Sequence, residues 1–251
     1  MHESADKETN STSTFDVELM LAIHQRLTLA YSAPVIHQSD RLGPVSQLVN
    51  SLIADGASPE RADRAFRSLC AAFWSWPDVR DAPRVTVHRL LADIDPTGRT
   101  ASLIVAVLKS ISEATSWQNP TLEFLSEIGE ESAVDWLCRL GRVPAHVAAE
   151  VLLLSSLRRR ILPVGPSRRR LAERTGQVKP SSGEREAQSE LNQSLPPQWR
   201  STDIEVHYFV SGAHAREYCI PRRPRCGPCP IRDLCNHGSA SQPGHRSVVE
   251  D

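Results

Sequence analysis

A chain of 251 residues that is 40% hydrophobic and 24% charged can bury a sizeable core, as one large domain or two small ones. No stretch approaches the roughly 18 to 20 apolar residues of a membrane span, and Met1 to Thr14 has no apolar core suited to a signal peptide; a soluble, cytoplasmic protein is expected. The net charge of -1 conceals an asymmetry: residues 1 to 136 carry 11 Lys+Arg against 19 Asp+Glu, whereas residues 137 to 237 carry 17 against 9.

Strand signals are scarce, with aromatic residues at 5% and no alternating β-branched run bounded by hairpin turns. In "FDVELMLAIHQRLTLAYS" helical spacing puts Val17, Met20, Ile23, His24, Leu27 and Tyr31 on one face, with Ser13 or Thr14 as candidate cap. Further helices are predicted over Gly43 to Ala54, Pro59 to Phe73, Arg84 to Ile94, Gly98 to Ala114, Pro120 to Ile128 and Glu130 to Leu140, each starting near a Pro, Asp, Thr or Gly. The stretch "AHVAAEVLLLSSL", Ala145 to Leu157, is apolar on nearly all sides and reads as a core helix, too short for a membrane. After it, "RRRILPVGPSRRRLAERTGQV" reads as a short basic connection and a helix, and "KPSSGEREAQSELNQSLPPQW" as a polar loop or a helix with ragged ends. A last helix over about Thr202 to Ala213 leads into a cysteine-rich loop, and residues 1 to 14 and 238 to 251 read as disordered tails. The pattern predicts an all-α fold of some ten helices.

Four of the six cysteines fall in "CIPRRPRCGPCPIRDLC", as Cys219-x6-Cys226-x2-Cys229-x5-Cys235. In a reducing compartment such a cluster reads as metal ligands before it reads as two disulfides. Zinc sites usually present two close pairs a dozen or more residues apart, and this loop has one such pair. A compact run of four thiolates, stiffened by Pro221, Pro224, Pro228 and Pro230, better suits a [4Fe-4S] cluster, with zinc, disulfides and free thiols as the other readings. Cys70 and Cys138 stand in apolar helical settings and read as core fillers. Of the 17 cations in residues 137 to 237, 16 are arginine, with runs at Arg158 to Arg160 and Arg168 to Arg170 and a group Arg222, Arg223, Arg225 inside the cysteine loop. Arginine forks suit phosphate oxygens, which makes a polyanion a candidate partner beside the plain reading of a solvated face.

The cysteine spacing and "RRPRCGPCPIRDLC" resemble the C-terminal cluster loop of endonuclease III and its relatives, the helix-hairpin-helix DNA glycosylases of base-excision repair. "HAREYC", His214 to Cys219, is similar to the family's His-Gly-Arg-x-x-Cys approach to the cluster, with Ala215 in place of glycine, and "LPPQW" and "ILPVGPSRRRLAERTGQV" are similar in order and spacing. The resemblance spans roughly residues 40 to 237. It implies a two-lobed fold: an N-terminal helix (15 to 41) packing with the cluster lobe, a six-helix lobe (42 to 160) ending in a degenerate helix-hairpin-helix, and a helical lobe (161 to 237) holding the [4Fe-4S] loop on Cys219, Cys226, Cys229 and Cys235. Double-stranded DNA would lie in the cleft, bound by a monomer and contacted by Gly141, Arg142, Val143 and Ala145 of the hairpin and by Arg222, Arg223 and Arg225.

The family's hairpin resembles L-P-G-V-G-x-K-T-A, whose lysine forms a Schiff base with the sugar, while an aspartate in "VDTH" assists departure of the base. Two registers fit here. In one, "LCRLGRV" is the hairpin and Val143 takes the lysine position; in the other, "LGRVPAHVAAEVLLLSSL" puts His146 there, with Arg142 and Pro144 replacing both glycines. The second nearly restores the family's spacing to the "PVDTH" segment, which reads Pro163, Val164, Gly165, Pro166, Ser167 and so lacks the carboxylate. Both catalytic groups of the family are thus absent, and glycosylase and lyase chemistry is expected to be lost or rebuilt. His146 and Glu150, four residues apart on one side of a helix, form a candidate acid/base couple, beside the plain reading of a satisfied histidine and a solvated glutamate. Asp55, in "LIADGASPE", stands where the family carries a residue that fills the gap left by a flipped base. Two other functions fit the same residues: a non-enzymatic iron-sulfur module docking a protein or RNA, and a DNA-linked redox sensor.

Overall fold

The computed structural model describes residues 6–35 and 37–240, with side chains from Val17 onward. Twelve α-helices and no strand occur among the described residues: α1 (Asp6–Ala30), α2 (Pro44–Ala54), α3 (Pro59–Ala72), α4 (Trp76–Asp81), α5 (Arg84–Leu91), α6 (Arg99–Ala114), α7 (Glu130–Arg139), α8 (Ala145–Leu154), α9 (Pro166–Thr175), α10 (Glu184–Gln193), α11 (Ser201–Glu217) and α12 (Asn236–Ala240). None of them is long and apolar enough to cross a membrane. The fold is all-α.

Several boundaries differ from the sequence reading. Helix α1 starts at Asp6, so Ser13 and Thr14 lie inside it; adding a residue to an existing helix fixes that residue for one hydrogen bond, which lets weak helix formers follow a strong segment. Of the expected tails, Asp6 to Thr14 are helical in α1 and Gly238 to Ala240 in α12, while 1–5 and 241–251 lie outside the described residues. The helix expected over Pro120 to Ile128 is only a 3-10 turn, Glu123–Ser126, and the short α4 was not expected. In α4 the Ser75 hydroxyl caps the Asp78 N–H and Pro77 sits in the first turn, so local capping makes a helix too short to show a period.

The chain divides into two compact units, one made of residues up to Val35 and from Val164 onward, the other ending at Pro163. In the second unit α8 packs on α2 and α7, α6 on α4, α5 and α2, and α3 on α2 and α5. Its core includes Leu48, Leu69, Ile104, Leu108, Val147 and Leu152, all inaccessible or nearly so. Helix α8 is buried on almost every side, from Ala145 to Leu153 with Glu150 as the half-exposed exception, as its composition requires. In the first unit α11 packs on α1 and α9, and α12 on α9. Met20, Ile23 and Leu27 form the buried stripe of α1, and Ile23 and Leu27 join Leu171, Val210, Cys219 and Ile231 in one cluster, so the cysteine loop is part of this core.

Candidate cluster loop and hairpin site

The cysteine loop leaves the end of α11 at Tyr218 and closes on α12. Cys219 and Cys235 are buried, Cys226 and Cys229 half-buried, and none of the four is in a disulfide. They line one cavity together with Leu171, Arg174, His214 and Ile231. Among the described residues no three His, Cys, Asp or Glu side chains converge closely enough to hold a single metal ion. Four thiolates on one ion at about 2.3 Å each must nearly touch one another, whereas a cubane takes one thiolate per iron at its corners and needs the space between them. Four cysteines around a shared cavity fit the second arrangement better than the first. Burial pushes the Cys229 and Cys235 thiols up, and the neighbouring cysteines add to the rise, so as bare groups they resist becoming thiolates; a bound cation reverses that balance.

The walls of the cavity hold the sulfurs in place. Arg174 Nη1 donates to Cys219 Sγ at 3.2 Å and to the Ile220 carbonyl at 2.9 Å, and its Nη2 to the Pro221 carbonyl at 2.8 Å. One turn earlier on α9, Arg170 donates to the carbonyls of Cys219 (2.8 Å) and Ala215 (3.2 Å). His214 Nε2 lies 3.7 Å from Cys229 Sγ and its Nδ1 3.4 Å from the Tyr31 hydroxyl; burial pushes this imidazole down to about 4. From α1, Arg26 pairs with Asp233 at 3.0 Å in the last segment of the loop. The role of Arg174 was not read from the sequence, although its i,i+4 spacing from Arg170 in "RRRLAERT" puts both on one face of α9.

The arginine runs divide into two kinds. Arg168 donates to the Tyr208 carbonyl (2.7 Å from Nη2) and stacks 3.5 Å over the Tyr208 ring, Arg169 pairs with Glu173 at 2.8 Å, and Arg159 donates to the carbonyls of Leu125 and Ile128 and pairs with Glu130 at 3.0 Å. These cations, which the sequence presents as candidate phosphate contacts, are committed to the fold. Arg222, Arg223 and Arg225 are exposed, and their side chains make no hydrogen bond to the described residues.

In the other unit, α7 and α8 form a helical hairpin whose turn carries Gly141 at φ 92° and Arg142 at φ 75°, both exposed. A left-handed conformation at a non-glycine residue costs roughly 1–2 kcal/mol. Val143 (3% exposed) and Ala145 (5%) are buried, so a ligand at this turn would meet their main chain and not their side chains. Helix α8 begins at Ala145 after the N-cap Pro144, which supplies no side-chain cap. His146, its second residue, is buried, and its Nε2 lies 3.2 Å from Oδ1 of Asp55, which ends α2. The structure thus brings to His146 a carboxylate the sequence reading did not pair with it, Asp55, from 91 residues earlier in the chain. Glu150 lies one turn along α8, half-buried. Gly165 is the buried N-cap of α9 and brings no functional side chain there.

No family model matches the chain. Over 89 residues, 36% of its length, it is 29% identical to an endonuclease III of Sulfolobus acidocaldarius, and that match spans only 38% of the relative. Among solved structures it is similar to a trapped endonuclease III–DNA covalent intermediate (TM-score 0.67, 16% identity, 92% of this chain and 97% of that one). It is likewise similar to a non-covalent endonuclease III–DNA complex (0.70, 15%, 90% and 97%) and to a thermostable thymine-DNA glycosylase (0.64, 15%, 92% and 99%). At these identities the likeness shows the fold alone: the chain folds like these endonuclease III and DNA glycosylase structures.

Proposed function

We propose that this protein binds double-stranded DNA as a base-excision-repair type protein, with the loop of Cys219, Cys226, Cys229 and Cys235 holding a [4Fe-4S] cluster and Arg222, Arg223 and Arg225 meeting the phosphates. The observation that carries the reading is the division of the arginines: those on α9 serve the fold, while the three between the first two cysteines stand exposed, with no side-chain partner among the described residues, on a loop tied down at both ends. Cations held on a braced loop and free of internal partners suit a backbone polyanion, because phosphate contacts need charge in a fixed register and carry no base information. The exposed Gly141–Arg142 turn before α8 offers a second element that could meet the backbone. A cluster on the four cysteines would supply a cross-link that pins the loop. The lyase reaction is absent in this reading, since no lysine occurs on α2, on α8 or in the turn before α8.

The test is fluorescence anisotropy with duplex DNA across a salt series, on anaerobically purified protein assayed for iron and sulfide. A steep linear fall of log affinity with log salt, and about four iron and four sulfide per chain, are expected. Salt-independent binding, or preference for an RNA or protein competitor over every duplex, removes the DNA reading; one zinc per chain removes the cluster.

A further inference from the structure

We propose that the cavity between α3, α4 and the segment 118–120 binds an uncharged heteroaromatic ring with the donor–acceptor edge of adenine, taken up as a free base or nucleoside. The site is separate from the hairpin and from the cysteine loop, and it does not rest on the DNA-binding reading.

The cavity has a volume of ≈ 370 Å³. That is the small end of the range for ligand pockets and suits a molecule of about one nucleoside. Ser46, in the first turn of α2, is part of its wall. Asp55 lies nine residues further along, past the other end of that helix, so roughly 14 Å of α2 separates the cavity from the contact between Asp55 and His146.

Two tryptophans line the cavity in different ways. Trp76 is fixed: its indole N–H donates to Ser46 Oγ at 2.9 Å, and its ring lies 6.3 Å from that of Phe66, centre to centre. Trp74, just before the Ser75 N-cap of α4, is wholly exposed and makes no hydrogen bond or ring contact with the described residues. An indole left in water at the edge of an aromatic-lined cavity contributes little packing to the fold, and its face is open to stack on a planar ligand.

The polar groups are two amides. Gln118 and Asn119 line the cavity, are exposed, and make no side-chain hydrogen bond to the described residues. Their segment is held by Arg80, buried on α4, whose Nη1 donates to the Trp117 carbonyl and to Ser112 Oγ at 3.0 Å and whose guanidinium lies 3.9 Å from the centre of the Trp117 ring. An amide offers a donor and an acceptor side by side, the complement of the N6–H and N7 of adenine. Guanine shows two acceptors on that edge and calls for an arginine or lysine, and none lines this cavity. The same lack excludes phosphate: none of the described residues lining the cavity is charged, and the Arg80 guanidinium is already bonded to Asp81, Ser112 and Trp117. Size, stacking faces and an uncharged lining together select a free base or nucleoside over a nucleotide or a strand.

The test is calorimetric titration of the full chain with adenosine, inosine, adenosine monophosphate and a single-stranded oligo(dA), beside its duplex Kd. Adenosine is expected to bind at one site per chain. Inosine, whose edge shows two acceptors, should bind about tenfold or more weaker, the lower range for one bidentate pair, and the monophosphate should bring no gain. Trp74→Ala, at a side chain that no bond ties to the fold, should weaken adenosine about tenfold while thermal unfolding and the duplex Kd stay unchanged. Gln118→Ala and Asn119→Ala combined should erase the preference over inosine. Bound adenosine should also slow alkylation of Cys70, an exposed thiol on the cavity wall, read on its own peptide by mass. Absence of adenosine binding at millimolar concentration, equal affinity in Trp74→Ala, or inosine bound as tightly as adenosine overturns the site. Tighter binding of the monophosphate or of the strand overturns it too, because the affinity would then lie in phosphate contacts. Each of these outcomes leaves the duplex reading as it stands.

Discussion

Arg168, Arg170 and Arg174 on α9 give their guanidinium groups to carbonyls and a sulfur of their own unit, whereas Arg222, Arg223 and Arg225, some fifty residues on, leave theirs in solvent. Composition makes the two groups look alike, since each is an arginine-rich stretch beside the cysteines. The difference is one of partners. Helix α9 faces the carbonyl-rich end of α11 and the start of the loop, and a planar fork with five donors satisfies several such acceptors at once. Between its first two cysteines the loop is held through its main chain, at Ile220, Pro221 and Arg225, and the guanidinium groups of its three arginines have no partner among the described residues. A basic region is therefore not a binding surface until the internal acceptors have been subtracted.

That contrast can be broken by mutation. The largest effect is expected at Arg174: replacement by Ala removes two carbonyl bonds and one to Cys219 Sγ, and should destabilise the fold by about 3 kcal/mol, the range for hydrogen bonds to charged groups, as read by denaturant unfolding. DNA affinity of the folded fraction should hardly change. The reverse pattern is expected for Arg222→Ala, Arg223→Ala and Arg225→Ala combined: stability within about 0.5 kcal/mol of wild type, and a salt slope lowered by roughly 0.9 for each phosphate the variant no longer neutralises. If the triple variant loses stability and keeps its slope, the assignment of the two groups is reversed.

A pH series sharpens the comparison at the α9 end of the same unit. His207 is buried beside His24 and Trp199, with ring centroids 5.6 and 5.4 Å away, and Nδ1 of both histidines is buried without a partner. Burial, then the His24 and Arg168 charges, push His207 down to about 3. The unfolded chain takes up this proton near 6.5 and the folded one does not, so stability is full above 6.5 and falls by ~1.4 kcal/mol per pH unit from there toward 3. His24, lowered by its own burial, acts in the same direction. His207→Phe should flatten this acid limb in thermal melts. The smallest effect is expected for Arg168→Lys, which keeps the charge but loses the planar stack on Tyr208: about 1 kcal/mol of stability, with no change in DNA binding.

Legibility from sequence followed the range of the interactions. The amphipathic stripe of α1, the apolar α8 and the proline starts of α2 and α3 were readable because each is set by neighbours within one or two turns. Helix α4 and the loss of a helix over Pro120 to Ile128 were not, since a single turn shows no period and its fate depends on capping and on what packs over it. At the hairpin, resemblance pointed to the position of His146, and i,i+4 spacing pointed to Glu150, the only carboxylate near in sequence. Asp55, a further partner of His146, is found only when α2 is laid against α8. The outcome at the cysteine loop was similar: spacing brought four thiols into one segment, while Arg174 and His214, which touch their sulfurs, come from α9 and α11.

The sequence by itself determined the helical class, the position of the cysteine loop and the excess of arginine around it, because periodicity, spacing and charge are properties of the chain read locally. Only the tertiary structure decided which arginines are bonded into the fold and that Asp55 stands beside His146. Both depend on which donors and acceptors meet when helices distant in sequence pack, and hydrogen bonds of a few ångströms are settled by that packing alone.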